Sequence, residues 1–513
     1  MIFPLSDRAL ALSFLSGLVL ALAYPRADLS FVAWFALVPL FLVMEKRPFA
    51  SGFAAGTAFF AIILYWLNIV MTTYGGMSPF FAIVAYLLLV FYLALYFAVS
   101  TWLSCRLRKL LGLSPWISLP VVWVAAEYLR AHLLSGFPWA SLGYSQQRYL
   151  SMIQSADLFG VYGIGFLLVF FNASVAEGWR ALRDKKASLA RWAPLAAALL
   201  LLAGNAGYGW RQLRGAVDER PRSLSIALIQ GNVDQAVKWD PDFKQATVDR
   251  YRRLSMDAAQ AGKTDLIIWP ESATPFYFDL GEPLLARVRE IPPATGARLL
   301  FGAPAYEVAN GSVRYLNSAF LLSRRGEVSG RSDKIHLVPF GEYNPLAKVF
   351  PFLDKLVHGV GDFSPGSLNP LSLDEAKAGV LICFEAIFPE IARNYVRLGC
   401  GLLINVTNDA WFGRSSAPYQ HLAMTRFRAV ENRVWIARAA NTGISAFIAP
   451  SGRVTATTGI FEAATLRGET GLGARATFYN RWGDFLPLLF GVIVLVVWCG
   501  AEWRHYRQKS RTR

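Results

Sequence analysis

A chain of 513 residues is long enough for two or three domains, and 54% hydrophobic against 17% charged residues is too apolar a balance for a soluble protein of that size. The mean hydropathy of +0.36, with the apolar residues crowded into 9–210 and 485–503, points to a membrane protein carrying one large polar insert. A net charge of +16 would suit a nucleic-acid partner, but the basic residues fall in short loops between apolar runs and no RNA- or DNA-binding motif accompanies them.

Seven apolar runs, at about 9–24, 29–44, 51–71, 79–103, 115–134, 158–176 and 192–210, precede the polar region, and an eighth, 485–503, follows it. Most are long enough to cross a hydrocarbon core of about 30 Å as helices. The 29–44 run is short and contains Pro39, and Ala-Leu-Ala at 21–23 leaves a cleaved signal peptide open as a reading of the first run. Eight transmembrane helices are predicted, dividing the chain into a membrane domain (1–210), a polar domain (211–484), and an eighth helix with a basic tail (485–513).

The loops alternate in charge. One set holds Arg8, Lys46, Arg47, Arg106, Arg108, Lys109, Arg180, Arg183, Lys185, Lys186, Arg191 and the tail from Arg504 to Arg513, whereas the short loops of the other set hold Arg26 and Arg148. The positive-inside rule then puts both termini in the cytoplasm and 211–484 outside it, which in a bacterium would be the periplasmic face of the inner membrane. The loop 127–147 gathers Phe137, Pro138, Trp139 and Tyr144, which read equally as interface anchors or as substrate contacts. Glu127 and Arg130 lie in or near the fifth span, where charge is costly and usually paired or functional.

The polar domain alternates strand and helix patterns. Strands are predicted at 223–232, 264–272, 298–307 and 314–323, then before Cys383 and from 401; helices at about 243–262 and 421–441; and a hairpin at 444–454. This is an α/β layered domain with a parallel or mixed central sheet. Three apolar segments end on reactive residues: Glu271 in WPES, Lys334 in GRSDKIHLVPFGEY (330–343), and Cys383 in GVLICFEAIFPE (379–390). Cys383 falls between a strand and a helix start, where a thiol is presented at a sheet edge and a helix N-terminus favours the thiolate. Glu271 would serve as general base and then acid, Lys334 would lower the thiol pKa and face a developing oxyanion, and the Phe384 N–H would be a second oxyanion donor. Cys105 and Cys499 lie in or beside apolar runs; Cys383 and Cys400 show no metal-site spacing, and a single bond between them is left open. A rival dyad of Cys383 with His421 lacks an evident Asn or Asp orienter.

These three motifs resemble the Glu-Lys-Cys triad of the nitrilase superfamily. With the seven-plus-one helix arrangement, GFPW at 136–139 and NVTNDAWFG at 405–413, nearly the whole chain resembles the apolipoprotein N-acyltransferase family. The resemblance implies an αββα sandwich for the polar domain and no cofactor or metal. It implies supporting roles for Glu342, which orients Lys334, and for Glu385, and substrate contacts at Trp239, Tyr343, Trp411, Phe412 and Trp139, with core packing an equal reading for the aromatics. It further implies that a phospholipid, phosphatidylethanolamine donating its sn-1 chain, acylates Cys383, and that the amine of an S-diacylglyceryl-cysteine apolipoprotein discharges the thioester. The alternatives are a membrane-tethered amidase, against which seven preceding spans weigh, and a transporter, against which the scarcity of ionisable residues in the spans weighs.

The charge asymmetry is tested by reporter fusions. Those at about residues 185 and 510 are expected to report cytoplasm and one near 300 periplasm; a cytoplasmic signal at 300 would invert the orientation.

Overall fold

The computed structural model describes residues 5–184, 188–215, 217–219, 222–235, 238, 241–278, 283–309, 312–344, 363–374 and 376–511. The chain divides into two compact units: Met1–Tyr65, Ile83–Gly215 and Arg481–Arg513 form the first, and Trp66–Ala82 with Ala216–Asn480 the second.

Among the described residues, five helices are long and apolar enough to cross a membrane: Pro79–Leu111, Pro115–Ser135, Ala156–Arg183, Leu189–Arg214 and Phe485–Ser510. A pair bent by 57°, Pro48–Ile63 with Leu67–Tyr74, makes six if taken as one broken span. Among the described residues this falls short of eight continuous spans. The first run forms the 17-residue helix Leu5–Ala21, about 25 Å long. The 29–44 run breaks into a 3₁₀ turn, Ser30–Trp34, and the short helix Val38–Val43, with Pro39 in its first turn. The backbone groups near this break are met by side-chain amides. Asn172 Oδ1 accepts from Leu37 N (2.9 Å), its Nδ2 donates to Ala33 O (2.9 Å), and Gln146 Nε2 donates to Ser30 O (2.9 Å). Irregular backbone at membrane depth is tolerable where protein groups satisfy it in this way.

The 127–147 loop is likewise fixed within its unit. Arg130 Nη1 donates to Phe137 O (2.8 Å) and Trp139 O (2.7 Å), and Glu127 Oε1 accepts from Leu142 N (2.8 Å). Gly136, at φ 81°, has no room for a side chain: a Cβ would lie 1.9 Å from Ala131 O. Both charges expected in the fifth span therefore hold a loop. Trp139 is buried within this unit, and its ring stacks on Phe137.

Among the described residues the second unit has twelve strands: β1 (Ser223–Gln230), β2 (Leu266–Ile268), β3 (Arg298–Ala309), β4 (Ser312–Leu322), β5 (Val328–Asp333), β6 (Leu371–Leu373), β7 (Ala376–Ile382), β8 (Cys400–Thr407), β9 (Trp435–Ala440), β10 (Ala446–Ile448), β11 (Val454–Thr457) and β12 (Ala464–Gly471). They form two six-stranded sheets rather than one central sheet, in the orders β12-β1-β2-β3-β4-β5 and β11-β10-β9-β8-β7-β6. Each is mixed, parallel across β1-β2-β3 and β7-β8-β9 and antiparallel toward its edges. Alternation along the strands decides the layers. Ile226, Leu228, Ile268 and Leu300 share one buried cluster with Val380, Ile382, Leu402 and Ile404 of the other sheet. The intervening Ala227, Ile229, Ile267 and Leu299 pack with Val248 and Tyr251 of the helix Pro241–Gln260. On the second sheet the helix Pro389–Arg397 lays Tyr395 over Gly379 of β7, where a Cβ would sit 2.5 Å from the ring.

The long helix expected at 421–441 ends earlier. It runs Ala417–Asn432, stops at Arg433 in the left-handed region (φ 45°), and the chain resumes as β9. Every residue of β9 is buried, so it lacks the alternation that would have marked a strand.

Candidate active site

Glu271 follows β2 on a tight turn whose next residue, Ser272, has φ 48°. The turn lies against β3 at Gly302, where a Cβ would stand 2.6 Å from the Glu271 Cα, so the strand presents bare backbone there. Lys334 directly follows β5, and Cys383 directly follows β7. The structure brings these three together. Lys334 Nζ donates to Glu271 Oε1 at 3.4 Å, and the Cys383 thiol lies within the electrostatic reach of both the Glu271 carboxylate and the Lys334 ammonium.

Glu271 is 6% exposed, and burial by itself raises its pKa. The Lys334 ammonium and the Asn317 amide (2.8 Å to Oε1) outweigh that penalty, Asn408 N donates to Oε2 (2.9 Å), and the net shift is downward. Lys334 is pushed down by burial but up more strongly by Glu342 and Glu271, and stays charged. Its shorter bond is to Glu342 Oε1, at 2.8 Å. Glu342 also accepts from Asn317 Nδ2 (2.9 Å) and Val338 N (2.8 Å). It therefore orients both Lys334 and Asn317.

The thiol differs from expectation. Burial raises the Cys383 pKa, the neighbouring Glu271 carboxylate raises it further, and Lys334 only partly opposes them. The helix-end contribution fails as well, because the segment after the thiol is a five-residue 3₁₀ turn, Cys383–Ile387, too short for an appreciable dipole. The resting group is thus a neutral thiol beside an ionised carboxylate. A neutral thiol needs a base to take its proton before it can act as a nucleophile, and the Glu271 carboxylate is the ionised group beside it. Cys383 itself has φ 54°, a left-handed conformation rare outside glycine and of the kind that clusters at functional sites.

Glu385 ties together the two loops that carry Lys334 and Cys383. Its Oε1 accepts from Ile335 N (2.5 Å) and His336 N (3.1 Å), just past Lys334, and its Oε2 from Ile382 N (2.7 Å), just before Cys383. Burial lifts its pKa to about 7 against the pull of those three N–H groups.

Of the aromatic positions, Phe412 lies 4.9 Å from the Trp66 ring and Trp411, 37% exposed, 5.8 Å from Tyr74, all within the second unit. Phe384 is buried, and Tyr343, half-buried, receives a bond from Phe340 N at its carbonyl (2.8 Å). Trp239 lies outside the described residues. His421 forms no dyad with the thiol: its Nε2 lies 3.1 Å from Cys383 O, a main-chain acceptor. All four cysteines are free. Sequence reasoning passed over Asn317, Thr407, Asn408, Asp409, Arg438 and the buried Lys238, whose Nζ donates to Glu271 O at 3.4 Å. The available signal was polar residues inside strongly apolar strands, such as Arg438 in WIARAA.

Two stacked sheets between helical layers, with residues 225–473 matching the carbon-nitrogen hydrolase family, put the second unit in that class of protein. Residues 16–174 match the apolipoprotein N-acyltransferase N-terminal domain. The apolipoprotein N-acyltransferase of Geobacter metallireducens is 48% identical over 475 residues, 92% of this chain and 91% of that protein. That of Methylococcus capsulatus is 36% identical over 505 residues, 95% of each. The chain belongs to the apolipoprotein N-acyltransferase family. Among solved structures it is similar to Saccharomyces cerevisiae Nit3, of the nitrilase superfamily, with 20% identity and a TM-score of 0.39 over 50% of this chain and 92% of that one.

The Glu385 clamp predicts an acid limb. Below pH about 7 the carboxyl becomes protonated and loses an acceptor, so turnover is expected to fall as pH drops through that value. Glu271, held ionised to lower pH, would place its own limb further into acid. Glu385→Gln should be slow throughout and lack the limb near 7; an unchanged limb in that variant would exclude the assignment.

Proposed function

We propose that this protein transfers an acyl chain from a phospholipid to the N-terminal amine of S-diacylglyceryl-cysteine on an apolipoprotein, with Cys383 carrying the chain as a thioester. The observation that carries the reading is the enclosed carboxylate–ammonium–thiol cluster of Glu271, Lys334 and Cys383 in a chain of this family. Glu271 takes the thiol proton as sulfur attacks the ester carbonyl. Lys334 Nζ and the Phe384 N–H face the oxyanion. The ester C–O bond breaks, Glu271 returns the proton to the departing glycerol oxygen, and a lysophospholipid leaves. The acceptor amine then attacks the thioester carbonyl and gives its proton to Glu271; the C–S bond breaks, Glu271 passes that proton to the departing sulfur, and the amide leaves as the thiol reforms.

Phosphatidylethanolamine is the donor this reading favours. The catalytic unit faces the periplasm, and both termini are cytoplasmic. Glu342 and Glu385 are the supporting carboxylates; Trp239, Tyr343, Trp411, Phe412 and Trp139 are the candidate acyl contacts. A thioester must outlast exposure to water until the amine arrives, which favours an apolar surround.

A thiol nucleophile implies two half-reactions, so the acceptor is dispensable for the first. Phospholipid alone should leave a hydroxylamine-labile acyl group on Cys383 and release about one equivalent of lysophospholipid. A diacylglyceryl peptide should discharge it, and Cys383→Ala should form no adduct. No trapped thioester, with intersecting steady-state lines, would instead mean direct transfer in a ternary complex. Discharge by water alone, with no transfer, would favour the amidase-type alternative.

Lys334 separates local from diffuse charge. Lys334→Ala should lose roughly 3–4 kcal/mol of transition-state stabilisation, the scale of a missing oxyanion donor. Lys334→Arg should also be poor, because a planar guanidinium does not occupy an ammonium's place. Near-normal turnover of the Arg variant in the same assay would reduce Lys334 to a source of general positive potential.

A further inference from the structure

The nucleophile's carbonyl is held by a buried group outside the proposed chemistry. His421 Nε2 lies 3.1 Å from Cys383 O. A carbonyl oxygen only accepts, so Nε2 carries the proton, and Nδ1 faces Arg438 Nη2 at 3.2 Å. Burial and the Arg438 charge lower the His421 pKa, in keeping with a neutral ring. Around it, Asp409 Oδ1 stands 3.2 Å from Nδ1, Asp409 Oδ2 pairs with Arg438 Nη2 at 2.7 Å, and Thr407 Oγ1 donates to Asp409 Oδ1 at 2.8 Å. Gly443 makes space for this carboxylate, since a Cβ there would lie 2.2 Å from Asp409 Oδ2. Arg438 also donates to Asn405, whose Nδ2 donates to Leu381 O at 2.8 Å. The imidazole is therefore locked by a polar ladder crossing β9, β8 and β7.

Cys383 C=O and Phe384 N–H belong to one planar trans peptide, in which the two bonds point in opposite directions. Fixing the carbonyl against His421 fixes the direction of the N–H, and a hydrogen bond to the carbonyl strengthens the N–H as a donor. We infer that His421 is a positioning residue that sets the Cys383–Phe384 peptide plane and so aims the Phe384 N–H at the oxyanion formed when Cys383 is acylated. This rests on the acyl-enzyme reading above. Without the bond, a peptide next to a residue at φ 54° can relax by turning its plane, which would present a carbonyl dipole to the developing negative charge.

Two reactions at the same sulfur test it in the full-length protein. Acylation by a 4-nitrophenyl ester passes through an oxyanion; alkylation by iodoacetamide, a displacement at saturated carbon, does not. His421→Leu is expected to slow acylation by roughly 100-fold or more, as loss of an oxyanion donor does, and to leave alkylation within about threefold. His421→Gln, whose amide N–H reaches a similar place, should recover most of the acylation rate. A parallel fall in both reactions, or acylation unaffected in His421→Leu, would overturn the inference. A wild-type enzyme that takes the nitrophenyl acyl group but none from phospholipid would sink the donor reading and leave the His421 result standing. Failure to acylate from either source would remove both.

Discussion

Glu271 is 6% exposed, and a carboxylate in such a place protonates unless other groups replace its water. Its replacements come from both halves of the sandwich. Asn317 and Lys334 belong to β4 and to the end of β5 in the first sheet, while Asn408 follows β8 in the second. Glu385 repeats the device in reverse, rooted at the end of β7 and accepting from Ile335 and His336 beyond β5. Each carboxylate is satisfied only when the two sheets are stacked in register. The apolar interior that aligns them, Leu228, Ile268 and Leu300 against Val380, Leu402 and Ile404, therefore fixes the ionisation state of the site as well as the fold.

The charge balance then limits what each group can do. Lys334 is shared between Glu271 and Glu342, with the shorter bond to Glu342, so the cluster of three already has an excess of negative charge. Adding a thiolate would increase it in a place with little water, which is why the sulfur keeps its proton. In the acyl transfer proposed above, attack on a carbonyl would change the balance: as the proton moves to Glu271, one carboxylate is neutralised and the new negative charge forms on the carbonyl oxygen. Lys334 then faces an oxyanion with one competitor fewer. The electrostatics of the resting site thus suit a charge that forms during attack better than one held in advance.

The three residues proposed to react could be singled out because each ends an apolar run on a turn: Glu271 in WPES, Lys334 beyond β5, Cys383 beyond β7. Their partners could not. Asn317 sits within the apolar pattern of β4, and its amide meets Glu271 and Glu342 only through strand pairing and loop return, which no local spacing encodes. Asp409, the orienter that His421 seemed to lack, lies twelve residues away on another element. The thiol pKa was misjudged for a related reason: Lys334 does lower it, but burial and the neighbouring Glu271 carboxylate, which only the folded site brings to bear, raise it more. In the membrane part, hydropathy marked 29–44 as apolar but could not show that Asn172 and Gln146 would let it break.

The turn after β8 joins these observations. Within six residues it supplies the Asn408 N–H to Glu271, the Asp409 carboxylate to His421 and Arg438, and two aromatic rings facing elsewhere. Phe412 packs on Trp66, Trp411 on Tyr74, and a Cβ at Gly413, φ 57°, would lie 3.2 Å from Ile69 Cγ2. Residues 66–82 thereby group with the α/β unit although they continue directly from an apolar helix. A 3₁₀ turn of four residues, Asp409–Phe412, leaves little slack between its polar and aromatic ends. Packing of the 66–74 segment and the Asn408 donor to Glu271 therefore meet on one short turn, so a shift of its aromatic end would be carried by the backbone toward the carboxylate.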